Sequence, residues 1–474
     1  MAGKETKAMD PNAKLSWLER ISYGLGDYAG NLVYSAISAF LLVYYGQVVG
    51  MSTGTAASIM AISKIFDGIS DLIMGRIVDR TKSKWGKARP WIIRASIPLA
   101  ICTVLMFSVP AGITGTLQIV YVFLTYNLVS TIFYTALNVP YASLQGLMTT
   151  NQYERGLLGN FRMLLATFGT MTVNTVVLKM TGFFGGGDAY TQKGWTLTFI
   201  VLMIVFVLIN CMTFFFCKER VTDTDVSEAA SAAEKKSDLV SNPTVVESLK
   251  SLVANKYWVI MVIFLFSLYF MMSTFFGGNF YFATYVLNSE ESYSVLSNAL
   301  SLTQMGMMFI TPIIMSRLSK RWLGLIGMSA SVVAFVLTAL AGQNVTMVIL
   351  CNILKGAAFG CGAATMFGML QDAITYGQWL TGVQAVGMGN AASSFTMKIG
   401  SGLGTAALGW ILAAGSFDAD PTSASAIASI NAACIWVPVI TGVIGIICLL
   451  LYDIDKNYDN AVKDLEQGRW KGSK

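Results

Sequence analysis

The chain has no histidine in 474 residues. That excludes imidazole bases, histidine proton relays and histidine-ligated zinc or haem. Charge is scarce too: 12% of residues are Asp, Glu, Lys or Arg, against 54% hydrophobic. No P-loop sequence is present, so ATP hydrolysis by this chain is not expected to drive any process. The seven cysteines fall in or beside apolar stretches, and an odd count there argues against a disulfide framework. The first twenty residues are polar, so no cleavable signal peptide is expected. The formal net charge of +6 comes from basic residues clustered in loops, and no nucleic-acid partner is expected.

What the chain does have is hydrophobic length. Apolar stretches of about 20 residues or more recur along nearly all of it, the pattern of a polytopic all-α membrane protein. The short alternating segments of a membrane barrel are missing. Twelve transmembrane helices are expected near 21–48, 54–78, 91–111, 116–146, 158–182, 194–217, 257–287, 293–316, 322–341, 345–372, 386–414 and 431–452. The longest polar interruption, 218–256, reads first as a flexible linker. After Pro243, residues Val245, Val246, Leu249, Leu252 and Val253 share a face and predict a short interfacial amphipathic helix. The expected organisation is an N-terminal six-helix bundle over 1–217, a linker over 218–256, a C-terminal six-helix bundle over 257–452 and a tail over 453–474.

Lysine and arginine set the expected orientation. One set of loops carries Arg76, Arg80, Lys82, Lys84, Lys87 and Arg89, then Arg155, then Arg317, Lys320 and Arg321. The opposite loops are nearly uncharged or acidic, as at Glu290, Glu291, Asp418 and Asp420. The positive-inside rule therefore places both termini and the linker in the cytoplasm of a cell carrying this protein in its plasma membrane. Two six-helix pseudo-repeats so oriented describe the major facilitator fold. No filter loop or arginine ladder suggests a channel.

Few charges lie within the expected spans, among them Asp27, Lys64, Asp67, Asp71, Arg162, Lys179, Lys355, Asp372 and Lys398. A carboxylate at mid-bilayer costs about 2.5–3.5 kcal/mol on insertion scales. Asp67 and Asp71 lie one helical turn apart, so their carboxylates can converge on one ion. An ion pair with Lys64 is the plainer alternative. Ser70, between the two, and Thr135, on the fourth span, add oxygens of the kind a hard cation such as Na⁺ takes. A proton shared by the pair is equally compatible. No other metal site is expected. Arg162 and Lys398 occupy corresponding fifth spans, and pseudo-symmetry would bring them to a common cavity. Asp27, Asn31 and Asn138 supply hydrogen-bonding groups, and Tyr23, Tyr28, Tyr34, Tyr141 and Trp410 supply ring faces, a combination suited to a sugar. Lys179 and Asp372, near span ends, are expected to snorkel. Lys355 has no assigned role. The glycines of Gly24-x-Gly26 and of KIGSGLG (398–404) are expected to allow close helix contact.

The segment KIFDGISDLIMGRIVDRTKSKWGKARPW (64–91) resembles the signature of the glycoside–pentoside–hexuronide:cation symporters. So do SYGLGDYAGN (22–31), ALNVPYASL (136–144), YERGLLGNFR (153–162) and the blocks between 372 and 404. The resemblance implies that Asp67 and Asp71 bind the coupling cation with Thr135. Ser70 stands where a sodium-coupled member has asparagine, which leaves H⁺ beside Na⁺. Arg162 matches a sugar-pocket arginine, and Lys398 a lysine linked to the cation site. Asn31 and Asn138 replace two aspartates that grip galactosides in a relative, so galactoside specificity does not carry over. A pocket short of those carboxylates but keeping Arg162 and Lys398 favours an anionic sugar such as a glucuronide. Neutral xylosides and β-glucosides, carried by related branches, stay open.

The expected function is secondary active symport of a glycoside or hexuronide with H⁺ or Na⁺ by alternating access. The protein is expected to act as a monomer in contact with membrane lipid, without a cofactor. The loop over 76–89 is expected to latch one side through Asp79, Arg80, Lys87 and Arg89. A non-transporting sugar sensor of the same fold is the alternative. An enzyme is not expected, because an acid–base pair must bracket its substrate whereas Asp67 and Asp71 share one face.

Overall fold

A computed structural model describes residues 14–81, 83–149, 151–221, 244–315, 317–467 and 469–471. The first run of helices is α1 (Trp17–Val48), α2 (Thr53–Arg80), α3 (Arg89–Met106), α4 (Gly115–Met148), α5 (Gln152–Phe184) and α6 (Gln192–Phe216). The second is α7 (Val245–Ala254), α8 (Lys256–Val286), α9 (Ser292–Met315), α10 (Lys320–Ala341), α11 (Val345–Thr381), α12 (Val386–Ala414), α13 (Ala424–Leu451) and α14 (Asp455–Glu466). Eleven of these helices are long and apolar enough to cross a membrane, and the chain is a multi-pass membrane protein. The helix at the second expected span, α2, is not among the eleven. Its 28 residues reach about 42 Å, ample for about 30 Å of hydrocarbon, but Lys64, Asp67 and Asp71 lower its hydropathy.

Two compact units emerge from the contacts. The first comprises the described residues of Met1–Ile37, Gln47–Val49 and Phe66–Ser231; the second those of Ser38–Gly46, Gly50–Ile65 and Ala232–Lys474. In the first, α3 packs against α4 and α6, and α5 against α6. In the second, α11 packs between α9 and α10, and α8 against α12 and α13.

Small residues set the closest helix approaches. A Cβ at Gly400 or Gly404 of α12 would sit 2.7 Å from Phe266 O or 2.5 Å from Phe270 O of α8. In the first unit a Cβ at Gly24 would lie 2.7 Å from Phe161 O, and one at Gly26 2.5 Å from Tyr141 Cε2. The glycine motifs are packing devices, as expected of small residues between membrane helices.

Several boundaries differ from those expected, among them the start of α5, at Gln152 rather than 158. The helix expected to end at 372 runs to Thr381, where Gly382 in the left-handed conformation ends it, and within it the Asp372 carboxylate accepts a bond from Lys320 Nζ at 2.6 Å. Asp372 is thus ion-paired within α11 rather than snorkelling from its end. The last span starts at Ala424 rather than 431; Ser423 caps it, accepting from Ala426 N at 3.2 Å, so a polar first turn is still helical. The third span ends at Met106 rather than 111, just before the turn at Pro110.

In the linker, residues 222–243 lie outside the described residues. The helix α7 starts from a capping box in which Thr244 and Glu247 satisfy each other's backbone N–H groups. Val245, Val246, Leu249 and Val253 are exposed, whereas Leu252 is buried with Ser248 and Ser251. Leu252 therefore belongs to the packed face, not to the exposed apolar one.

Candidate functional site

The two acidic residues of α2 meet a run of hydroxyls on α4. Asp67 is 4% exposed. Its Oδ1 accepts a bond from Thr131 Oγ1 at 2.5 Å and its Oδ2 one from Ser130 Oγ at 2.9 Å. Asp71, half-buried, accepts from Thr135 Oγ1 at 3.2 Å. Ser70 Oγ donates to Asp67 O at 2.9 Å and lies 3.2 Å from Thr135 Oγ1. Asp67, Asp71, Ser70 and Thr135 are thus gathered in one place: spacing on α2 puts the two aspartates on one face, and α4 brings Thr135 to them.

Ser130 and Thr131 did not stand out in the sequence, although both touch Asp67. Five residues apart, Ser130 and Thr135 would sit about 140° from each other on an α-helix. Leu128–Tyr134 instead winds as a π-helix, whose i to i+5 turn brings them toward one side. Such turns are frequent at functional sites. A stretch of hydroxyls in an apolar span, LVSTIFYT, was the available signal.

Nearby in the first unit lies a second polar group of side chains. Arg162 Nε on α5 donates to Asp27 Oδ2 on α1 at 3.0 Å. The guanidinium rests 5.2 Å from the Tyr141 ring, which stacks on Tyr23 at 4.8 Å and 15°. Tyr141 OH donates to Tyr23 O at 2.6 Å. Tyr23 is 0% and Tyr141 4% exposed, so both rings support Arg162 rather than present an open face. Asn31 Nδ2 donates to Asp27 O at 2.9 Å, and Asn31 Oδ1 accepts from Thr170 Oγ1 at 3.4 Å. Tyr28 OH is 3.1 Å from Thr172 Oγ1. The half-buried Asn138 has no hydrogen-bond partner among the described residues, so its amide is available to a ligand. Thr170 and Thr172, spaced along α5, are partners that no sequence motif announced.

Lys398 is half-buried in α12, in the second unit. Trp410 and Ser58, both also of that unit, are joined by a bond from Trp410 Nε1 at 2.8 Å. Tyr34 is 44% exposed in α1. Lys355 is 1% exposed; its Nζ donates to Asn352 Oδ1 at 3.1 Å and lies 4.9 and 4.6 Å from the Phe275 and Phe335 rings. Its amine nitrogen thus lies against an amide and two π faces.

The basic loop is anchored by Glu219, which sequence reasoning passed over. Its carboxylate accepts from the backbone N of Lys87, Ala88 and Arg89 at 2.8–2.9 Å, filling the start of α3. Gly86 has φ +106°, and a Cβ there would collide with that carboxylate. Arg89 also donates to Phe214 O through Nε and Nη2, at 3.1 and 2.6 Å. Lys87 and Arg89 are thereby held within the first unit. Arg80 is exposed, and the Asp79 side chain lies outside the described residues.

Comparison with known proteins gives these groups a context. The profile of a family described as MFS/sugar transport protein matches residues 22–456. An isoprimeverose transporter of Lactiplantibacillus pentosus is 32% identical over 95% of this chain and 91% of its own length. A glucuronide carrier protein homolog of Escherichia coli (strain K12) is 26% identical over 85% and 84%. Among solved structures, a D-xylose-proton symporter shares the fold with a TM-score of 0.64, covering 92% of this chain and 97% of that one at 14% identity. The resemblance to the glycoside–pentoside–hexuronide:cation symporters therefore holds along nearly the whole chain, which belongs to the MFS/sugar transport protein family.

Proposed function

We propose that this protein is a secondary active symporter that imports a glycoside together with H⁺ or Na⁺ by alternating access. The observation that carries the reading is the Asp67 carboxylate, 4% exposed and bonded on both oxygens by hydroxyls of α4. With Asp71 and Thr135 alongside, it is a compact set of oxygen ligands that a single cation can neutralise. Neutralisation removes the cost of buried charge, which links ion occupancy to the state of the helices around it. The coupling is reciprocal: the cation tightens sugar binding by the factor with which sugar tightens cation binding.

Asp27, Asn31, Asn138 and Arg162 are proposed to hold sugar hydroxyls, with Tyr28 and Tyr141 as their supports; Lys398 is proposed as a further substrate-binding residue by the family resemblance. The Asp27–Arg162 pair cancels one positive charge that an anionic sugar would need. A neutral xyloside-type glycoside therefore fits better than a hexuronide, in keeping with the name of the isoprimeverose transporter. The sensor reading has no support among the named relatives, which are transporters, symporters and carriers.

The organisation proposed is two six-helix halves, 1–217 and 257–452, joined by 218–256 and followed by a tail. Both termini are placed in the cytoplasm on the arginine and lysine asymmetry of the loops. The working unit is a monomer in the plasma membrane.

Uptake of labelled neutral xylosides and of a glucuronide into proteoliposomes, under imposed Na⁺ or H⁺ gradients, tests the reading. Accumulation of a neutral glycoside above equilibrium with one ion, abolished in Asp67→Asn, is the expected result. Undiminished uphill uptake in Asp67→Asn would sink the cation role. Preferential glucuronide uptake would overturn the charge argument from Asp27.

A further inference from the structure

Behind the cation site, within the first unit, lies an apolar crevice of about 390 Å³ between α2, α3 and α4. Its walls include Ile73, Ile77, Ile132 and Phe133. Ile73, Ile77 and Ile132 are 57, 40 and 50% exposed, so no layer of the first unit covers them. An apolar face of this kind on membrane helices is suited to acyl chains.

One end of the crevice is marked by charge. Trp91 and Arg94 of α3 line it, with the Arg94 guanidinium 6.0 Å from the Trp91 ring. Trp91 Nε1 donates to Thr81 Oγ1 at 2.9 Å, tying this end to the loop after α2. Arg94 is exposed, and among the described residues it has no carboxylate partner. Arg76 and Arg80, also exposed and without a carboxylate partner among the described residues, follow Ile73 and Ile77 on the same face of α2. Ser70, Thr131 and Thr135 line the other end, about 10 Å away along α2. A second apolar crevice, of about 350 Å³ between α3 and α6, offers the contrast. It is lined by residues such as Ile101 and Ile204 and has no charged residue in its wall.

We infer that the crevice between α2, α3 and α4 is a binding site for one anionic phospholipid. The phosphate sits against Arg94, with Arg76 and Arg80 beside it, and an acyl chain fills the space between Ile73, Ile77 and Phe133. Basic pockets between membrane helices recognise anionic headgroups in this way, and Arg forks match phosphate oxygens. The chain end reaches the helix faces that carry Ser70, Thr131 and Thr135, so the lipid packs the back of the carboxylate pair. The uncharged crevice between α3 and α6 has no means of selecting a headgroup. The inference holds for any coupling ion and any substrate.

Native mass spectrometry of protein extracted from vesicles of phosphatidylglycerol and phosphatidylcholine tests it, alongside thermal melts of each variant. The parent protein is expected to retain one phosphatidylglycerol in preference to phosphatidylcholine. Arg94→Gln should reduce that preference roughly fivefold, the equivalent of about 1 kcal/mol for one basic residue at the membrane surface. Ala136→Phe, which fills the crevice, should lose both lipids, and Ala100→Phe, in the α3–α6 crevice, should lose neither. Equal retention of the two lipids by the parent would overturn the proposal, as would undiminished selectivity in Arg94→Gln. Equal losses in Ala100→Phe and Ala136→Phe would mean non-selective lipid contact, and a bound second copy of the chain would name a different occupant. If Ala136→Phe fails to fold, the Arg94→Gln comparison decides alone.

Discussion

Thr131 donates its hydroxyl to Asp67 Oδ1 across 2.5 Å, from the π-helical stretch of α4 to the acidic face of α2. With Ser130 on Oδ2, both oxygens of a buried carboxylate have a donor from the protein. Replacing both hydroxyls, as Ser130→Ala with Thr131→Val, leaves those oxygens without these donors. A hydrogen bond to a charged group is worth about 1.5–3 kcal/mol, so the ion-free protein should melt markedly lower. Saturating coupling ion should recover much of that loss, because it neutralises the same carboxylate. Melting curves with and without the ion check this; an equal loss in both would show that the hydroxyls serve packing alone.

The Arg162–Asp27 pair has side-chain exposures of 26% and 14%, so screening is limited. Breaking a buried pair costs about 3–5 kcal/mol, and partial exposure places this one at or below the lower end. Arg162→Ala should therefore destabilise more than the double variant Asp27→Asn/Arg162→Gln. Sugar binding should stay lost in both. Thermal unfolding and binding measured together separate the structural from the recognition role.

Glycine substitutions should follow the space around each Cβ. Gly404→Ala, which meets Phe270 O at 2.5 Å, forces α8 and α12 apart and should cost about 1–3 kcal/mol. Gly75→Ala in α2 meets nothing within 4 Å and should gain about 0.5–1 kcal/mol from reduced backbone freedom. Paired melting temperatures test the contrast.

Outside the spans, Thr244 donates its backbone N–H and its hydroxyl to Glu247, which holds that carboxyl below the ordinary glutamate range. A depressed folded-state value means the cap is fully present above the ordinary carboxylate range and is lost as pH falls through the depressed value. Hydrogen exchange over 244–254 should thus accelerate, after correction for intrinsic rates, between neutral pH and about pH 3. Glu247→Gln should show no such step.

Much of the site was legible because lipid makes charge conspicuous. Asp67, Asp71, Arg162 and Asp27 stand out in apolar spans, since an unneeded charge there is costly. Hydroxyls carry no such signal: Ser130, Thr131, Thr170 and Thr172 are tolerated in any membrane helix by bonding their own backbone, as Thr172 Oγ1 does to Phe168 O at 2.9 Å. Their role depends on which helix faces them. Glu219 escaped notice for another reason: it lies at the edge of a polar linker, and only the chain's path brings it to the start of α3.

From its own residues the sequence determined the membrane class, the run of helices, the close glycine contacts and the acidic pair of α2. Each follows from local composition and helical spacing, which transfer energies and a 3.6-residue turn make readable. Tertiary structure alone decided that a π turn aims two hydroxyls at Asp67, that Arg162 is matched to Asp27, and that Tyr141 is a buried support. Those outcomes depend on the angle and distance between helices, and no spacing within one helix encodes them.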